Sequence, residues 1–211
     1  MMKVGIFGTS GFARETADVA LEIGYSPILI ARNRAEIASW MHPYKVITEH
    51  DIVKESGMKY SIGIGDNAIR EKIVRQFGGV LEFINLIHPS ATFGCKQREK
   101  LDCQRGIIVC AGVRMTNNIT IGDFAIINLN ATIGHDVIIE DYVNISPGAS
   151  ISGNVHLESG CLIGTGASLI QGTNHEKLKV GISTTVGAGS LVSKSCLSNS
   201  VYYGVPARKA L

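Results

Sequence analysis

From Val109 to Thr173 an aliphatic side chain recurs at every sixth residue: Val109, Met115, Ile121, Ile127, Ile133, Ile139, Ile145, Ile151, Leu157, Ile163 and Leu169. Four residues after each stands a small or β-branched one, running Val113, Ile119, Ala125, Ala131, Val137, Val143, Ala149, Val155, Cys161, Ala167 and Thr173. An α-helix cannot use this pattern, because a six-residue step turns by about 600° and scatters the apolar positions around the cylinder. A coil of short strands can. If each hexapeptide forms one flat side and three sides make a turn, residues eighteen apart stack, and both inward positions fill a narrow triangular core. Ile87, Ala91 and Phe93 already keep this spacing, and the charged stretch from Lys96 to Arg105 reads as a loop ejected from a corner. Asn174 to Lys179 (NHEKLK) breaks the count. Val180, Val186 and Val192 then resume it, with Thr184, Ser190 and Cys196 at the small inner positions, and Tyr202 to Leu211 falls outside the repeat.

Before the repeat the period changes. Lys3–Phe7 reads as a short buried strand, Gly8-Thr9-Ser10-Gly11 as a turn, and Phe12–Gly24 as a helix with Ala13, Ala17, Ala20 and Leu21 on one face. A second strand is expected at Ser26–Ala31, helices at Arg34–Trp40 and Asp51–Ser56, and a third strand at Tyr60–Ile64. Asp66 or Asn67 caps a helix over Ala68–Gln76, and Leu81–Ile87 is the last strand of this half. Strands alternating with helices predict a parallel sheet. The chain therefore divides into a small Rossmann-like α/β domain over residues 1–85 and a β-helix with a C-terminal tail over 86–211.

Composition narrows the classes of function. A hydrophobic content of 45% with 18% charge and 24 glycines fits a turn-rich globular protein. The formal net charge of +2, without a basic run, points to no nucleic-acid or membrane partner. The N-terminus is interrupted by Gly8 too soon for a signal peptide, and no apolar run approaches the roughly 20 residues that span a bilayer. Five cysteines, an odd count without CxxC spacing, read as reduced thiols in the cytoplasm.

Two places carry candidate chemistry. His135 stands at the third position of its hexapeptide, where side chains leave the core, and Asp136 follows it. An imidazole titrates in the range needed to take a proton from an attacking hydroxyl or amine, and a carboxylate can hold the ring. Gly153 lies eighteen residues on, one rung away at about 4.8 Å, where its N–H can face a developing oxyanion. A solvated corner histidine and a turn glycine fit the same spacing. In the first domain, Gly8, Ser10 and Gly11 lead from a strand into a helix N-terminus, which favours a phosphate or carboxylate. The motif is not GxGxxG, and Ala31-Arg32 follows the second strand in place of an acidic residue, so a dinucleotide is not expected. Gly65, Asp66, Asn67 and Arg70 fall on the same carboxyl edge, although Arg70 equally fits a solvated helix position.

The string INLNATIGHDVIIEDYVNISPGASISGNV, ending at Val155, resembles the sialic acid O-acetyltransferase and bacillosamine-pathway sugar N-acetyltransferase family. Further markers are GTSGFARE from Gly8, IGDNAIREK from Ile64, LIHPSA from Leu86, SGNV from Ser152 and GVPARK from Gly204, so the likeness spans nearly the whole chain. The resemblance implies a left-handed β-helix, His135 as general base, Asp136 as its helper and Gly153 against the acetyl carbonyl. It also implies acetyl-CoA along the coils, at Gly164, Thr165, Gly187 and Ala188 with Arg208 and Lys209 for phosphates, in a homotrimer with sites between subunits. The first domain then takes a nucleotide-linked amino sugar, with Phe12 and Arg32 near it and Asn128 near the acceptor. Many relatives have histidine where this chain has Phe12 and Asn144, which bears on the identity of the sugar. O-acetylation of a sialic acid would use the same histidine on a hydroxyl.

Three other readings are weaker. Cys161 as an acetyl carrier conflicts with its inward position. A metal site is not expected, because His156 is twenty-one residues after His135, three off the stacking interval, and no close histidine pair supplies two ligands. A non-catalytic sugar-nucleotide-binding protein leaves the His-Asp pair without a role.

Overall fold

The structure, a computed structural model, describes residues 1–38, 40–54 and 57–210. Strands β1 (Lys3–Phe7), β2 (Ser26–Ala31), β3 (Lys45–Thr48) and β4 (Lys59–Ile62) form a parallel sheet in the order β3-β2-β1-β4. Helices α1 (Gly11–Glu22), α2 (Arg34–Ala38) and α3 (Asn67–Phe77) connect and cover it. The face α1 buries, including Ala13, Ala17 and Ala20, is small enough for close helix–sheet packing, and Asp66 caps α3 by accepting from the Ile69 N–H at 2.9 Å.

Several expectations shift. Strand β3 has no counterpart among the expected elements, since four residues with two exposed or half-buried side chains give little alternation to detect. A 3-10 segment, Glu49–Lys54, stands where an α-helix over 51–56 was expected, and Glu55, Ser56 and Leu211 lie outside the described residues. The stretch 81–87 divides: Phe83 bridges Tyr60 alone, whereas Leu86–Ile87 pairs with Ile108–Val109 as the first rung of the coil.

From there the chain is a left-handed β-helix of two- and three-residue strands in parallel sheets. Thr132 pairs with Ser150 and Ile133 with Ile151, which is the eighteen-residue register. Every aliphatic at the six-residue positions from Val109 to Leu169 is at most 4% exposed, and the second inward row is buried from Val113 to Ala167. Each valine, leucine, isoleucine and methionine among them contributes about 1.5–3 kcal/mol over its exposed state. Thr173 is the exception: it is exposed, because the chain leaves the coil there. The coil turns at residues spaced by six, from Gly106 to Gly166, and all eleven take positive φ. Glycine, asparagine and aspartate fill these corners except at Phe124 and Tyr142.

The segment expected as a loop over 96–105 is instead a plug. Helix α4 (Gln97–Lys100) carries a fully buried Gln97, whose Nε2 donates to the Ile119 carbonyl at 2.8 Å and whose Oε1 accepts from the Ile119 N–H at 2.9 Å. These bonds satisfy a backbone at the edge of its sheet that has no strand beneath it, and Leu101 closes the core. At the other end, Val201–Gly204 and Ala207–Lys209 form an antiparallel hairpin on the last rung.

The α/β part is fastened to the coil through Arg70, and both earlier readings of that residue are corrected. It is 1% exposed and neither solvated nor open to substrate. Its guanidinium donates to the carbonyls of Ile64 (3.1 Å), Gly65 (2.9 Å), Phe124 (3.2 Å) and Tyr142 (2.6 Å). Burial lowers its pKa to about 10, with Asp66 pulling the other way, so it stays charged at neutral pH. Phe124 and Tyr142, eighteen apart, stack at 5.5 Å, and Phe83 meets Phe124 edge-on at 5.3 Å. The aromatic corners are where the sheet docks. Replacing Arg70 with Met leaves buried carbonyls without donors, and a loss of about 3 kcal/mol is expected in denaturant unfolding; an unchanged midpoint would show that the clamp carries no stability.

Candidate active site

His135 and Asp136 sit at a coil corner, with Asp136 at φ 60°. His135 Nδ1 and Asp136 Oδ2 are 2.7 Å apart, and the Asn118 amide donates to Asp136 Oδ1 at 2.5 Å. Asn118 lies one rung below, eighteen residues earlier, so the stacking interval that places Gly153 also finds this residue. The Asn118 amide, and then His135, hold the Asp136 carboxyl below the usual carboxylate range. An ionised carboxylate accepts Nδ1–H, so the tautomer that results leaves the Nε2 lone pair open. The ring is 46% exposed and in reach of a ligand.

Gly153 lies against that nitrogen. A Cβ added there stands 2.5 Å from His135 Nε2 and 2.6 Å from Cε1, so only glycine leaves the ring in place. The Gly153 N–H has no acceptor among the described residues, whereas its carbonyl accepts from Gly172. The ring nitrogen and a glycine whose N–H is unpaired among the described residues therefore lie side by side.

A concavity of about 420 Å³ lies at the carboxyl ends of β1 and β2. Gly8, Thr9 and Ser10 border it at the start of α1, where Ser10 occupies the N-cap without a side-chain capping bond. Gly8 takes φ 115° with Gly63 and Ala13 crowding it, so a side chain there is strained. Ile30, Ile64, Ile69 and Ile73 supply apolar walls, and Arg32, Glu36, Glu49 and Lys72 supply charge. Glu36 accepts from the Thr9 hydroxyl and the Arg32 N–H, and burial raises the Glu49 carboxyl pKa. The Arg32 and Lys72 side chains hydrogen-bond to no described residue, which leaves two cations and a helix N-terminus facing one cavity. Thr9, Glu36, Glu49 and Lys72 escaped sequence reasoning, because only the strand order sets Glu49 beside Arg32.

Other expected site residues are brought elsewhere. Asn67 Nδ2 donates to the Gly160 and Cys161 carbonyls, and Asn144 Nδ2 donates to the Gly65 carbonyl at 2.8 Å, so Asn67, Asn144 and Gly65 join the sheet to the coil. Asp66 is used as a cap. Gly11 is exposed at the first turn of α1, and Phe12 packs on Ile108, Cys110, Ile126 and Leu129 of the coil. Asn128 Oδ1 accepts from the next N–H, that of Leu129. A Cβ on Gly164 would meet the backbone of Gly187 and Ala188, and Gly189 donates to the Thr165 carbonyl, which makes these small residues one stacked corner. Lys209 is exposed on the terminal hairpin. Cys161 is fully buried, and burial pushes its thiol far up, so it is core rather than nucleophile. His156 bonds to Glu140 at 2.6 Å.

Residues 3–77 match the family model of the PglD N-terminal domain. WeeI from Acinetobacter baumannii AYE is 26% identical with a TM-score of 0.86, and the match covers 100% of both chains. A histidine-to-asparagine variant of perosamine N-acetyltransferase from Caulobacter crescentus, solved in complex with CoA and GDP-perosamine, is 25% identical over 100% of this chain and 98% of that one, with a TM-score of 0.85. The acetyltransferase domain of PglB from Neisseria gonorrhoeae FA1090, in complex with acetyl coenzyme A, is 25% identical over 99% and 98%, with a TM-score of 0.86. No curated protein sequence matches the chain.

Because Asn118 stabilises the charged form of Asp136, Asn118→Ala is expected to raise the Asp136 titration midpoint towards the ordinary carboxylate value, read by carboxyl chemical shift against pH. A midpoint that does not move would mean that Asp136 is held by other groups.

Proposed function

We propose that this chain, which carries a PglD N-terminal domain ahead of a hexapeptide-repeat β-helix, transfers an acetyl group from acetyl-CoA to the amine of a nucleotide-linked amino sugar. The observation that carries the reading is His135 Nε2 set against Gly153, whose N–H has no acceptor among the described residues, with Nδ1 tied to Asp136. The amine nitrogen attacks the thioester carbonyl while Nε2 takes its proton; the carbonyl oxygen, now negative, is received by the Gly153 N–H. Collapse of the adduct breaks the C–S bond, and the imidazolium returns its proton to the leaving thiolate. Both substrates are bound together, and no acetyl-enzyme is needed, in keeping with the burial of Cys161.

The cavity bordered by Gly8 to Ser10, Arg32 and Lys72 suits the nucleoside diphosphate end of the sugar. Acetyl-CoA is assigned to the corner of Gly164, Thr165, Gly187 and Ala188, with Lys209 and Arg208 near its phosphates. The perosamine N-acetyltransferase structure, in complex with CoA and GDP-perosamine, and the PglB structure, in complex with acetyl coenzyme A, support a CoA thioester and a nucleotide sugar as the two ligands. A homotrimer, whose neighbouring subunits complete each site, and a cytoplasmic setting belong to the same reading.

Thiol release from acetyl-CoA, measured with a panel of nucleotide-linked amino sugars and sialic acids, tests the reaction, with the product identified as amide or ester by mass. His135→Ala is expected to lower kcat at least about a hundredfold while nucleotide-sugar binding, followed by calorimetry, persists. Retention of the full rate would remove His135 as the base, and an ester product would replace the amine acceptor with a hydroxyl.

A further inference from the structure

The unbroken six-residue count from Val109 ends at Asn174–Lys179, and this excursion returns to the His135 corner. The chain leaves at Thr173, whose N–H donates to the Glu176 carbonyl and whose hydroxyl accepts from the Glu176 N–H, both at 2.8 Å. The two feet of this loop are pinned to the rung above the histidine. Gly172 N–H donates to the Gly153 carbonyl at 3.0 Å, Leu178 N–H donates to the Asn154 carbonyl at 3.1 Å, and the Asn154 amide donates to Asn174 Oδ1 at 3.2 Å. Lys177 then reaches one rung further and donates from Nζ to the backbone carbonyl of Asp136 at 2.5 Å. That carbonyl accepts from no backbone N–H of a described residue.

We infer that the excursion is part of the transfer site and that Lys177 is a positioning residue: it fixes the Asp136 peptide and, through Asp136, the orientation of the His135 ring. The inference rests on the reading of His135 as the base. A regular hexapeptide here would continue the stack above Gly153 and Asn154 and give Asp136 no such donor. The ammonium also adds to the Asn118 and His135 contacts that favour the ionised Asp136 carboxylate. With the ring held from below by Asn118 through Asp136, and from above by Lys177 through the same residue, Nε2 stays against Gly153. Misplacing a base by about 1 Å is enough to cost a large factor in rate without weakening substrate binding.

The test is steady-state kinetics of Lys177→Met and Lys177→Arg beside the parent protein, with the His135 ring followed by NMR. Lys177→Met is expected to lower kcat about tenfold or more, with KM for acetyl-CoA and nucleotide sugar within about twofold. Lys177→Arg, which restores a donor and a charge, is expected to recover most of that loss. The Nδ1–H resonance, sharp when Asp136 holds the ring, is expected to broaden in the Met variant and return in the Arg variant. A kcat for the Met variant within twofold of the parent, a change confined to KM, or an Arg variant as impaired as Met would each overturn the inference. If His135→Ala is inactive while Lys177→Met is fully active, only this inference falls; if the parent shows no acetyl transfer, the proposed function falls.

Discussion

One residue in six along the coil must take the left-handed backbone conformation, and much of the molecule follows from how that demand is met. At most corners it is met by glycine, asparagine or aspartate, for which the conformation costs little. At Asp136 the corner requirement and the chemistry coincide. An aspartate tolerates the turn, and its carboxylate then lies in contact with the ring of the preceding residue. At Phe124 and Tyr142 the same requirement is met by aromatics, for which it costs roughly 1 kcal/mol or more each. Their stacking, the edge of Phe83 and two hydrogen bonds from Arg70 to their carbonyls offset this. The strained corners mark the attachment of the sheet.

Stacking at eighteen residues turns this local rule into long-range geometry. Asn118, Asp136 and Asn154 occupy the same corner on successive rungs, and His135 and Gly153 stand beside it on adjacent rungs. A rigid, close-packed core fixes the spacing, so neither the imidazole nor the amide has to be ordered by ligand. Precision of this kind is what acyl transfer from a thioester requires, since the donor must face the oxygen that becomes charged rather than the resting carbonyl.

The coil was legible because its signal is repeated: the aliphatic row holds through eleven hexapeptides and the small row through ten, whereas Thr173, β-branched like its predecessors, gave no sign that the chain leaves the coil there. His135 and Gly153 were legible for the same reason, by counting. Residues that act through backbone partners were not. Gln97 reads as a polar loop residue, yet it is buried on the backbone of Ile119; Arg70 reads as a helix arginine, yet its four acceptors are carbonyls. Carbonyls leave no trace in residue identity. A partial signal existed for Arg70, since two aromatics in a row of glycine, asparagine and aspartate mark a docking point. The cavity residues Glu49 and Lys72 were hidden differently, because they meet Arg32 only through a strand order that places the overlooked β3 beside β2.

The central claim is that coil register sets a base and an amide donor on one reacting carbonyl. A crystal structure with acetyl-CoA bound reads that most directly. The account predicts the thioester oxygen at about 3 Å from the Gly153 nitrogen, with His135 Nε2 facing the acetyl carbon across the space an amine fills. An acetyl group seated at another corner, or a Gly153 N–H engaged elsewhere in the complex, would contradict it.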